Sequence, residues 1–177
     1  SYVMTLKTFA AMVLLILAIM YRGGEEAGYF SPKWWGILGL IGWSYLAAGF
    51  VYILSGDRIW AVAIAWIMFS LLSIFWHAGM IPAFLKFIPH SIIGGTEAGL
   101  AVGGVLTSMV FRHYLLLGNN RGLTAVLLAF GALLVFLSIL VRPYWGLAKL
   151  GATPAWLFLC SAFTIFSFVT VYWLVDV

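Results

Sequence analysis

The chain has 177 residues, 65% hydrophobic and 8% charged, with a net charge of +4 and a mean hydropathy of +1.14. A soluble domain carries about a quarter charged residues, so the composition excludes an ordinary soluble fold and implies an all-α, polytopic membrane bundle of about six transmembrane helices. The nine basic residues are scattered singly, which gives no nucleic-acid or anionic-lipid patch, and the lone Cys160 gives neither an intrachain disulfide nor a cysteine metal site.

A spanning helix needs roughly 20 apolar residues. The first such run covers residues 2–21, with Lys7 tolerable only near the interface or facing protein. The segment Tyr21-Arg-Gly-Gly-Glu-Glu26 that follows has no small-x-small cleavage site, so the run is not a signal peptide. A polar loop from Arg22 to Gly28 leads to Ser31-Pro32-Lys33, which opens a second helix over 34–54. Ser55-Gly-Asp57-Arg58 is long enough only for a tight turn, making that helix and the third, 59–76, antiparallel neighbours.

Residues 77–90 contain Pro82, Lys86 and Pro89, which argues against a continuous helix and for a short interfacial or re-entrant piece. A fourth helix covers 96–117, and Gly118-Asn-Asn-Arg-Gly122 signals a turn. The fifth, 123–141, is closed by Arg142 and Pro143. The sixth covers 154–175, with Thr153 placed as an N-cap and Pro154 at the first helical position, where its missing N–H costs nothing. Gly95, Gly99 and Gly103 recur every four residues and line one stripe of the fourth helix. Such a stripe lets another backbone approach closely, either within the chain or in a homo-oligomer. Lysines and arginines divide four to five between the two sides, so the positive-inside rule sets no orientation. Residues 1–177 are read as one domain, and a start at Ser1-Tyr2 inside an apolar run leads us to expect an internal piece of a longer protein.

Ionisable groups at membrane depth are costly and are functional candidates by default. Glu97 lies more than one turn inside a helix that starts at Ser91, or is an ordinary first-turn acid if Gly94-Gly95 are loop. Arg112 and His113 sit near a helix end and can reach the headgroups. His77 and His90 bracket the broken segment, where a neutral imidazole is either a general base or an interfacial residue; their spacing is not that of a metal site. Arg142 and Lys149 flank the Trp145-Gly146 turn, where cations suit phosphate, whether of a nucleotide-like donor or of lipid.

Two segments resemble one family. Gly146-x-x-Lys149-x-x-Ala152-Thr153-Pro154-x-Trp156, followed by a helix ending Tyr172-Trp-Leu-Val-Asp176-Val177, is similar to the late region of bacterial transmembrane acyltransferases related to heparan-α-glucosaminide N-acetyltransferase. Gly36-x-Leu38, with Tyr45 seven residues on, is similar to a helix start in the same family. The resemblance implies an enzyme of the bacterial inner membrane that passes an acetyl group from acetyl-coenzyme A to a sugar amine or hydroxyl. It tilts the phosphate reading of Lys149 and Arg142, beside Trp145, toward the donor rather than lipid, and it implies further helices of a parent protein as partners. The family's catalytic histidine belongs to a His-…-Trp-x-Asp-…-Phe-Pro-x-Phe loop, and no segment here matches it, so no catalytic residue is carried over. The other reading is a transporter or channel-type domain with a broken-helix site near Glu97.

Overall fold

A computed structural model describes residues 2–23, 28–29 and 36–176. The chain forms two compact units, Ser1–Lys33 and Trp34–Val177. In the first, α1 (Tyr2–Met20) is followed by β1 (Arg22–Gly23) and β2 (Gly28–Tyr29), a two-residue antiparallel ladder pairing Arg22 with Tyr29 and Gly23 with Gly28. The rest of the expected polar loop, Ser31-Pro32-Lys33 and the start of the second helix at Trp34 lie outside the described residues.

The second unit is all helical: α2 (Ile37–Ser55), α3 (Ile59–His77), a 3-10 turn (Ala83–Phe87), α4 (His90–Ile93), α5 (Thr96–Leu116), α6 (Asn120–Trp145) and α7 (Pro154–Val175). Among the described residues, five helices (α2, α3, α5, α6 and α7) are long and apolar enough to cross a membrane. The sixth expected run is α1, which has 19 residues, as many as α2 and α3, and an apolar stretch over Met4–Met20. The chain is an integral membrane protein, and its apolar helices face lipid. Leu38, Ile53, Leu54 and Leu116 are all more than three-quarters exposed on the protein, as a lipid-facing surface requires.

Hydrocarbon gives apolar side chains no reason to leave it, so helices associate in a bilayer by close packing and by hydrogen bonds. Both devices are present. α5 is the central rod, touching α2, α3, α4, α6 and α7, while α6 and α7 form the most extensive pair. The core holds Val62, Val102, Leu106, Leu127, Leu134 and Phe158, with Trp66 edge-on to Phe130 at 5.3 Å. Seven hydroxyl residues are buried among them, including Ser73, Ser91, Thr96, Ser138 and Thr153.

The glycine stripe of α5 is covered within the chain. Gly99 faces Leu157 and Phe69, and Gly103 lies under the Trp66 indole. At Gly95 a Cβ would collide with the Phe69 carbonyl oxygen and come within 2.5 Å of the Ser73 backbone nitrogen, while φ is +73°. Glycine alone meets both demands. Of the two uses open to the stripe, the structure shows packing within the chain, against α3 and α7.

Two expected boundaries move, both of α6, and one expected cap is not made. α6 continues through Arg142 and Pro143 to Trp145, because Pro143 sits in its last turn, where little helix remains to be disrupted. Its start moves back to Asn120: Asn119 Oδ1 accepts from the Gly122 backbone N–H at 2.8 Å, so the turn signal at Gly118–Gly122 is mostly first helical turn. Thr153 does not cap α7. Its backbone is extended as a cap requires, but its hydroxyl oxygen accepts from the Ala148 N–H at 3.1 Å and so ties the loop instead.

Candidate functional site

Four helix ends meet at one polar junction: the C-termini of α3 and α6 and the N-termini of α5 and α7. His77, the last residue of α3, places Nδ1 2.8 Å from the Ser73 carbonyl oxygen and Nε2 2.9 Å from that of Gly151. The Trp145 indole N–H donates to the His77 carbonyl oxygen at 3.0 Å, and the two rings meet edge-on at 6.4 Å. One turn earlier, Ser73 and Thr96 hydroxyls lie 2.6 Å apart. Thr96 directs its proton to the Ala152 carbonyl oxygen, so Ser73 is the donor within the pair. Ser138 on α6 donates to the Ala155 carbonyl oxygen at 2.8 Å. Bonds therefore run from α3 and α5 into the bend between α6 and α7, and from α6 into the first turn of α7.

Two of the expected site residues, His77 and Trp145, lie in this junction. A histidine acting as a base needs a free lone pair, and each ring nitrogen of His77 faces a carbonyl oxygen. The ring is thus enclosed between two backbone carbonyls, one from its own helix and one from the bend. His77 is therefore a clasp on the bend rather than an open base. Trp145, expected at a donor site, directs its polar edge to His77. His90 lies elsewhere, edge-on to Trp76 at 4.8 Å and across the Gly94 turn.

Arg142 and Lys149 are exposed, and neither has an ion-pair partner among the described residues. The tip of the bend stands clear of the bundle, with Leu150 fully exposed. Behind the tip, Ala152 is held in the left-handed region at φ 47°. That conformation costs an alanine about 1–2 kcal/mol, and it is fixed by the Thr96 bond to the Ala152 carbonyl and by burial. The Lys149-to-Thr153 motif is thus a braced turn that presents one cation outward. Sequence pattern could not show this bracing, since His77 and Gly151 are 74 residues apart.

A second feature is a groove of about 850 Å³ between α2 and α5, which neither Arg142 nor Lys149 lines. Its α5 wall runs from Glu97 through Ala101, Gly104 and Ser108 to Arg112, and Ser44, Ala48 and Tyr52 face it from α2. α5 starts at Thr96, so Glu97 is a first-turn acid, which settles the two positions open to it. Its Oε2 is buried and has no hydrogen-bond partner. The nearby hydroxyls do not supply one: Ser44 donates to Leu40 O and Ser108 to Gly104 O, each within its own helix. At the far end Arg112 lies 3.4 Å from Asp57, both largely exposed. A smaller cavity of about 300 Å³ behind α5 is lined by Trp66, Thr107, Ser161 and Thr164.

Among the described residues, no group of three or more His, Cys, Asp or Glu side chains comes together as a metal centre would require. Compared with known proteins, the chain matches no family model, no curated protein and no solved structure.

Proposed function

We propose that this chain is the membrane-embedded part of an acyltransferase of the bacterial inner membrane, working with further helices of a longer protein. Its donor is acetyl-coenzyme A and its acceptor a sugar amine or hydroxyl. The observation that carries this reading is the Gly146-to-Trp156 segment. Its residues resemble the family motif, and they form a braced bend that leaves Lys149 outward and, like Arg142, without an ion-pair partner among the described residues. Unpaired cations at a membrane surface suit the phosphates of coenzyme A. Catalysis itself is assigned to no residue here, because His77 is occupied and the family's histidine loop has no counterpart.

The test is coenzyme A binding to the full chain in lipid nanodiscs, followed by titration calorimetry. Saturable binding is expected, weakened about tenfold or more by each of Arg142→Ala and Lys149→Ala, since a charge-assisted contact contributes about 1.5–3 kcal/mol. Binding that is absent, or unchanged in the double variant, overturns the proposal.

A second reading, transport, is favoured by one observation. The short α4 breaks at Gly94-Gly95 before α5 resumes, and this break lies beside the groove and Glu97. Uptake into proteoliposomes that is lost in Glu97→Gln would favour it over acyl transfer.

A further inference from the structure

We infer that the groove between α2 and α5 is a binding site for a hydrophobic monocation, with the Glu97 carboxylate as its counter-ion. The starting point is an imbalance. A carboxylate oxygen withdrawn from water without a donor costs several kcal/mol, and such groups are normally paired. Glu97 Oε2 is buried and unpaired, and the groove offers it nothing. Ser44 and Ser108 direct their protons along their own helices. Arg112, the one basic residue on the groove wall, is fifteen positions further along α5, about 22 Å at the helical rise, and sits beside Asp57.

The rest of the groove defines the ligand's body. At about 850 Å³ it is far larger than an ammonium ion or a water molecule needs, and its walls are mainly apolar. Tyr45 and Tyr52 on α2 also line it. A lipid chain or a neighbouring transmembrane helix would fill the volume but leave Oε2 unpaired. A small inorganic cation would pair the oxygen but leave the apolar walls unfilled. A bulky organic cation, an amine or quaternary centre on an apolar frame, answers both.

This inference sharpens the transport reading, in that it rests on the same groove and carboxylate, but it concerns equilibrium binding and stands without translocation. It is independent of the Lys149 bend, so failure to bind coenzyme A leaves it untouched.

The experiment uses tetraphenylphosphonium and tetraphenylborate, which share a shape and carry opposite charges. Each is titrated against the full chain in nanodiscs, and the signal from empty nanodiscs is subtracted. Saturable binding of the phosphonium alone is expected, weakened about tenfold or more in Glu97→Gln, as loss of a charge-assisted contact implies. Gly104→Leu provides the second variant. A Cβ added at Gly104, which lines the groove, meets nothing within 4 Å, so a leucine there should occupy the groove and abolish binding with Glu97 intact. Equal uptake of both ions marks a groove indifferent to charge, as a lipid-filled or helix-filled one would be, and overturns the inference. So does phosphonium binding unchanged in either variant, or binding of neither ion by the unmodified chain.

Discussion

Thr96 joins more of the structure than any other single hydroxyl. It receives the Ser73 proton and donates to the Ala152 carbonyl, so one side chain links α3, α5 and the bend before α7. Valine at this position keeps the shape but leaves Ser73 and the Ala152 carbonyl without their partner. Interhelical hydrogen bonds in bilayers contribute about 0.6 kcal/mol on average, up to about 1.7, while an orphaned buried group costs about 1–3 kcal/mol. Thr96→Val should therefore lower stability by about 1–2 kcal/mol in a detergent or denaturant titration. Ser73→Ala, which removes a donor but leaves Thr96 bonded to Ala152, should cost less. Neither role was legible beforehand. Thr96 read as the start of a helix and Ser73 as an unremarked residue of an apolar run, because bonds across 23 and 56 residues leave no trace in local pattern.

Among the elements, α7 was legible to the residue: Pro154 at its first position and Asp176 beyond its end bound an unbroken apolar run. α3 and α5 came within a residue of expectation for the same reason. α6 did not, at either end. Its start was hidden because Asn119 and Gly122 both read as turn residues, although one caps the other. Its end was hidden because proline normally stops a helix, whereas Pro143 lies close enough to the terminus to be carried. Asn119→Ala tests the first of these. It removes the cap and should destabilise by about 1 kcal/mol, read as a lowered thermal midpoint, whereas Asn120→Ala, inside the helix, should change it little. The site residues follow the same division. Glu97 and the cations announced themselves by charge, while the clasping role of His77 came from tertiary contact alone.

For the whole molecule, composition was enough to give a helical membrane bundle, because an 8% charged chain has no other stable home. It was not enough to give the groove, which depends on how far α2 stands from α5 and not on the character of either. The division into two units is equally invisible in an evenly apolar sequence. The unit Trp34–Val177 has its own core. Removing residues 1–33 should thus leave the thermal unfolding midpoint of the remainder within about 3 °C, the shift that about 1 kcal/mol produces in a chain of this size. A larger drop overturns this expectation.

The bond between His77 and the Gly151 carbonyl also has a consequence in time. When the ribosome releases α3 toward the bilayer, the acceptor for its terminal ring lies 74 residues further along the chain and has yet to be made. At about 5–20 residues per second, that ring waits on the order of 4–15 seconds for its mate. During that interval α3 packs against α2, α4 and the arriving α5, so the newborn bundle is assembled first at its waist and buckled at its rim last.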